Sequence, residues 1–168
     1  MTIAAVKEDR RTESHGAIMK LVEHRTDMLS AFSDLATHRP FAPSEELMQR
    51  IQRFCELLVD YTADAHFRLY RFVDNQQERR MSVSKIADLV YPRIASMTQN
   101  ILDFNDKYDT SQHTRDQIAS LEDDLSKLGE CLADRIELED RLIDVMTRSA
   151  AIQAGQAAAR QAAQQASQ

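Results

Sequence analysis

Two carboxylates and an imidazole stand close together in the most informative stretch of this chain, Phe54 to Phe72. Asp60, Asp64 and His66 fall beside or between apolar residues that recur at alternating four- and three-residue steps. That spacing places the apolar residues on one face of an α-helix. They are Leu47, Ile51, Phe54, Leu58 and Tyr61. A plain core helix does not need the charged groups, so the stretch predicts either a solvated bundle helix or an acidic docking surface.

Acids and histidines also bind metals and move protons, so their spacing bears on whether the chain is an enzyme. A di-metal bundle site needs Glu-x-x-His pairs, which put carboxylate and imidazole one turn apart. The residues three positions before the five histidines carry no carboxylate: they are Thr12, Leu21, Leu35, Ala63 and Thr110. No HExxH or paired-cysteine zinc pattern occurs, and a phosphate loop or nucleophile elbow needs glycines that are missing. The sequence predicts neither an enzyme nor a metal or cofactor site.

His66 leaves three interpretations open. Its ring is satisfied by a neighbouring acid, as polar groups in bundles usually are; the candidate acids are Asp60, Glu137, Glu139 and Asp140. Alternatively, His66 belongs to a docking surface. In the third interpretation it accepts a phosphoryl group or a metal in a phosphorelay-like bundle. The residues that follow it do not show the small-residue and lysine pattern of such domains.

Composition favours helices throughout. The 168 residues include only three glycines and three prolines, too few turn residues for a sheet protein, so the chain is predicted to be all-α. Its 27 acidic and 21 basic residues give a net charge of −6. An acidic protein is poorly suited to bind nucleic acid directly, and a basic protein surface is the expected kind of partner. No small-molecule ligand is expected.

The compartment is predicted from what the chain lacks. It contains no apolar run long enough to span a membrane and no secretory signal at its N-terminus, which predicts a cytoplasmic protein. Cys55 and Cys131 are far apart, form no CxxC and lie in apolar helical contexts, so both are expected to be buried, reduced thiols.

The pattern predicts an up-and-down bundle of four long helices, with one domain over residues 14–148. Residues 1–13 are expected to be flexible, and the Ala- and Gln-rich residues 149–168 to form a frayed helix or a disordered tail. The helices are predicted at about Ser14–Thr37, Ser44–Val73, Val90–Tyr108 and Ile118–Met146, with a polar break at Asp74–Arg80 and a possible short extra helix near 84–90. Pro92 is expected to kink this region or to start a new helix.

Several short motifs in register resemble the regulator of sigma D family, the bacterial anti-sigma factors Rsd and AlgQ. LVDY (Leu58–Tyr61), followed by His66-Phe67 and Tyr70, resembles the family signature. Further segments between Ile18 and Met146 are similar in the same order: KLVEHR with Leu29, RPF at Arg39–Phe41, YPRI at Tyr91–Ile94, LSKLGECL at Leu125–Leu132 and LEDRLI at Leu138–Ile143.

The resemblance implies a protein that binds region 4 of the primary sigma factor and keeps it from core RNA polymerase and promoter DNA. Region 4 is a helix-turn-helix module, which presents basic side chains to DNA. An acidic helical surface with apolar anchors would fit it. The resemblance implies Asp60 as the principal contact residue. The other implied contact residues are Tyr61, Asp64, His66, Phe67 and Tyr70, together with Leu21, Arg25, Leu29 and Phe32 on the first helix. A generic adaptor for another helical protein remains the alternative, beside the phosphorelay or metal-binding bundle.

Overall fold

The computed structural model describes residues 3–70 and 81–166. They form four long helices: α1 (Ile3–Ala36), α2 (Glu45–Asp64), α3 (Met81–Tyr108) and α4 (Arg115–Ala166). A six-residue π-helix, Ala65–Tyr70, continues α2. No strand occurs in the described ranges. The predicted all-α bundle is confirmed.

Polar caps fix where α2 and α4 begin. The Leu47 backbone N–H donates to Ser44 Oγ at 3.0 Å, and Glu45 and Glu46 in the first turn of α2 favour the positive end of the helix dipole. Before α4, Thr114 and Gln117 form a reciprocal capping box. The Gln117 N–H donates to Thr114 Oγ1 at 3.2 Å, and the Thr114 N–H donates to Gln117 Oε1 at 2.8 Å.

The helices run up and down around one core. Neighbouring helices are antiparallel. Between α1 and α2, Asp34 pairs with Arg50 and His24 pairs with Asp64, so later residues of α1 meet earlier residues of α2. Phe54 of α2 lies at the centre. Its ring meets those of Phe32 and Phe104 edge to face, with centroids 5.7 and 5.9 Å apart. Such pairs add specificity to the apolar burial that stabilises the bundle.

The region around Pro92 differs from the prediction. The prediction of a separate short helix near 84–90 is wrong, because α3 runs unbroken from Met81 to Tyr108 with Pro92 inside it. Proline removes one helical hydrogen bond. Pro92 is exposed, however, whereas Val90 and Ile94 on either side are only 5% exposed. Burial of this apolar stripe on both sides of the proline keeps the helix continuous.

The ends of the bundle helices also extend further than the apolar stripes predict. Helix α1 already begins at Ile3, and α4 continues through the Ala- and Gln-rich segment to Ala166. Alanine and glutamine are good helix formers, which sustains α4 although its end packs little: Ile152 is 62% exposed. The predicted break at Asp74–Arg80 lies outside the described residues. Of the helices described, none has a stretch both long and apolar enough to cross a membrane.

Candidate functional site

A buried carboxylate of α4 connects α1, α2 and the π-helix. Glu139 of α4 is fully buried and accepts four hydrogen bonds. Its Oε2 accepts from the Tyr61 hydroxyl at 2.5 Å and from Arg25 Nη2 at 3.1 Å. Its Oε1 accepts from the Tyr70 hydroxyl at 3.1 Å and from Arg135 Nε at 2.9 Å. We call these five residues the Glu139 cluster.

The charges of the Glu139 cluster are balanced beyond Glu139 itself. Arg25 donates onward to the exposed Asp140 at 2.6 Å, and Arg135 donates to Thr98 Oγ1 on α3 at 2.8 Å. The Arg135 guanidinium also lies within about 6 Å of the Tyr61 and Tyr70 ring centroids. Burial, reinforced by the Glu139 charge, raises the pKa of both tyrosines above the ordinary value, so they are donors at neutral pH.

This cluster corrects one interpretation of His66. Glu139 was a candidate partner for that imidazole, but it is fully occupied by the tyrosines and arginines. His66 is exposed, and no acid among the described residues pairs with it. Its ring instead meets Phe67 edge to face, with centroids 5.2 Å apart, and lies 6.4 Å from the Tyr70 ring. The interpretation that a neighbouring acid satisfies the His66 ring is therefore wrong within the described part of the chain.

The two predicted aspartates have different surroundings. Asp64 is largely buried; it pairs with Arg68 one turn on and lies 3.3 Å from His24 Nδ1 of α1. It therefore holds the end of α2 against α1. Asp60, one turn earlier, is exposed and forms no ion pair with a described residue. Phe67 on the π-helix is 59% exposed.

The four predicted residues of α1 face α4 and the core instead of joining Asp60. Leu21 and Arg25 are buried, while Leu29 is 38% exposed. Phe32 packs against the backbone of Gly129, where an added Cβ would lie 2.9 Å from the Phe32 Cζ. Arg25, Leu29 and Phe32 follow at four- and three-residue steps, so they share one strip of α1. Of the ten predicted contact residues, the structure brings Arg25, Tyr61 and Tyr70 together at Glu139.

Sequence reasoning missed Arg135 and the central role of Glu139. A signal was present, because both fall in the same alternating four- and three-residue rhythm as the buried apolar residues of α4. That stripe is Leu121, Leu125, Leu128, Leu132, Arg135, Glu139, Leu142 and Met146, all buried. Opposite charges four apart inside an apolar stripe indicate a buried pair, which must be hydrogen bonded to be tolerated.

The other chemistry considered from the sequence finds little support here. Among the described residues, no three His, Cys, Asp or Glu side chains come together to hold a metal ion. Both cysteines are free thiols; Cys55 is buried, as predicted, but Cys131 is only half-buried. Burial raises the pKa of Cys55 to about 12. That keeps it protonated and unreactive at neutral pH.

Fold and site together define a helical bundle in which the buried polar cluster braces the helices, while Asp60, His66 and Phe67 remain exposed. The profile of the family described as "Regulator of RNA polymerase sigma(70) subunit, Rsd/AlgQ" matches residues 2–147. The chain belongs to this Rsd/AlgQ family. It is accordingly a member of a family of sigma regulators and not of an enzyme family.

Curated relatives named "Regulator of sigma D" are similar over most of the chain. The one from an Enterobacter species is 32% identical over 138 residues, which cover 79% of this chain and 83% of the relative. The one from Yersinia enterocolitica is 35% identical over 112 residues, 63% and 67% of the two chains. An Escherichia coli relative is 31% identical over 144 residues, 80% and 89%. No solved structure matches significantly.

Proposed function

We propose that this protein binds region 4 of the primary sigma factor in the cytoplasm and sequesters it from core RNA polymerase and from promoter DNA. Family membership supports a sigma factor as the partner. The acidic balance of −6 supports a basic binding surface on that partner. A helix-turn-helix that reads DNA presents such a surface, and a protein that covers it would act stoichiometrically, by occupancy alone.

One observation carries the choice of Asp60 as the principal contact. It is the predicted contact acid that is both exposed and without an ion pair among the described residues, whereas Asp64 already holds Arg68 and His24. An unpaired carboxylate can pair with a sigma arginine without breaking an existing bond. Such a charge pair steers association and adds affinity where it becomes desolvated.

The other predicted residues divide into direct and indirect contributors. Phe67, His66 and Leu29 have exposed surface for contact, and an exposed aromatic ring is a typical interface anchor. Leu21, Tyr61 and Tyr70 are buried, and so is Arg25. Their expected contribution is to hold α1, α2 and the π-helix in place through the core and the Glu139 cluster.

The test is a titration of the full-length protein against an isolated region-4 fragment. Asp60→Lys is expected to weaken binding by on the order of 2 to 5 kcal/mol if the pair is desolvated. The matched control is Glu122→Lys, which makes the same change of net charge at another exposed acid that forms no ion pair with a described residue. It lies seventeen positions before Glu139 on α4, roughly 26 Å along the helix.

The two variants separate a specific contact from a general charge effect. Equal weakening by both would show that net charge alone matters, and unchanged affinity for Asp60→Lys with intact helicity would remove Asp60 from the interface. Circular dichroism of each variant verifies the fold. A pulldown from cell extract that enriches another protein above sigma would favour the adaptor alternative.

A further inference from the structure

A long apolar groove lies between α2 with its π-helix and α3. Its volume is about 540 Å³, within the range of small-molecule sites. Val59, Ala63 and Phe67 line one wall, and Ile94, Ala95 and Leu102 line the other. Val59, Phe67 and Leu102 are 39%, 59% and 42% exposed, so apolar surface is open to solvent along the groove.

The groove is elongated. Its lining residues run from Val59 to Tyr70 on one wall and from Tyr91 to Leu102 on the other. Each wall therefore covers eleven helical steps, roughly 16 Å. The exposed side chains Val59 and Leu102 belong to one end, and the aromatic rings of Tyr70 and Tyr91 to the other. This shape fits an extended aliphatic chain better than a compact ring.

Arg135 brings a fixed positive charge to the groove, whose lining also includes the polar side chains of Thr62, His66 and Thr98. Arg135 is only 1% exposed and carries five N–H donors. The described residues accept from two of them, through Glu139 and Thr98. The remaining donors have no acceptor among the described residues. Glu139 is shared with Arg25, so an anion entering the groove would be a second charge-assisted partner for Arg135.

We propose that this groove binds a medium-chain aliphatic carboxylate, with the carboxylate on the Arg135 guanidinium and the chain along the apolar walls. The sequence predicted no small-molecule ligand, because the arginine is recognisable as a groove residue only once α3 and α4 are placed together. The site is tested without sigma, so the result is independent of the proposed function.

The probe is sodium decanoate, below its micelle concentration, titrated into the full-length protein by calorimetry and by ¹H–¹⁵N NMR. We expect saturable binding of one decanoate and a shift of the Arg135 Nε–H resonance. 1-Decanol, which has the same chain without the charge, should bind at least tenfold more weakly and leave that resonance unmoved. Equal affinity for the two compounds, or a stationary Arg135 signal, would refute the role of the guanidinium.

A matched pair of variants locates the site without disturbing the Glu139 cluster. Ala95→Trp fills the groove from an exposed position, and Ala133→Trp places the same side chain on an exposed position of α4 outside the groove. Decanoate binding should fall at least tenfold in the first variant and stay unchanged in the second. Absence of saturable binding to the wild type, or undiminished binding to Ala95→Trp, would overturn the proposal.

Discussion

Replacing Glu139 by glutamine should destabilise the bundle severely, although the two side chains have nearly the same shape. Each Glu139 oxygen accepts from one tyrosine and one arginine. Whichever way the glutamine amide is oriented, its NH₂ group faces an arginine donor that cannot become an acceptor. One guanidinium thus loses its bond to residue 139, and both arginines lose its negative charge; breaking a buried ion pair typically costs about 3–5 kcal/mol. That is a large part of the roughly 5–15 kcal/mol stability of a domain.

Urea unfolding followed by circular dichroism measures this loss as a shift of the midpoint. The matched control is Asp140→Asn on the next residue, which also removes a negative charge beside Arg25 but at a side chain that is 58% exposed. Exposed ion pairs contribute at most about 1 kcal/mol. If Glu139→Gln cost no more than Asp140→Asn, the Glu139 cluster would not be the polar brace described above.

Three further perturbations test other parts of the fold. Tyr61→Phe should make the unfolding free energy fall less steeply at alkaline pH. Burial, then the Glu139 charge, raises the Tyr61 pKa above 10.0. In the wild type the folded state therefore keeps a proton that the unfolded chain releases. Wild-type unfolding free energy should therefore drop above about pH 10 by an extra 1.4 kcal/mol or so per pH unit, measured by urea titrations at several pH values. Gly129→Leu should cost about 1–3 kcal/mol by overpacking against Phe32, and calorimetric melting of the double variant with Phe32→Ala should show that penalty reduced. Ser44→Ala should cost about 1 kcal/mol in urea by removing the α2 cap; no loss would mean that the cap is dispensable.

The sequence pattern was sufficient for the fold class and the four helices, because apolar residues at helical spacing must find a shared core. It was less reliable where local signals compete with packing. Pro92 suggested a break, but the buried stripe that contains Val90 and Ile94 keeps α3 continuous. The Ala- and Gln-rich residues after Ser149 predicted a frayed helix or a disordered tail, and α4 is helical there to Ala166, which agrees with the helix propensity of alanine and glutamine.

The candidate site was only partly readable from the sequence. Asp60, His66 and Phe67 were singled out, and the structure exposes all three. Periodicity placed Tyr61 on the apolar face of its helix, but it does not indicate that Tyr61 and Arg25 meet at a shared carboxylate, because that depends on which helices become neighbours. For the same reason the groove could not be predicted from the sequence, because its two walls are separated in sequence and Arg135 comes from a third helix.

The most direct test of the central claim is calorimetric mixing of this protein with two sigma fragments in dilute salt. One fragment contains region 4 alone, and the other is the primary sigma factor truncated before region 4. The account predicts a one-to-one complex with the first and no heat with the second, with affinity decreasing as salt screens the charges. Binding that persists without region 4, or no complex with the region-4 fragment, would contradict it.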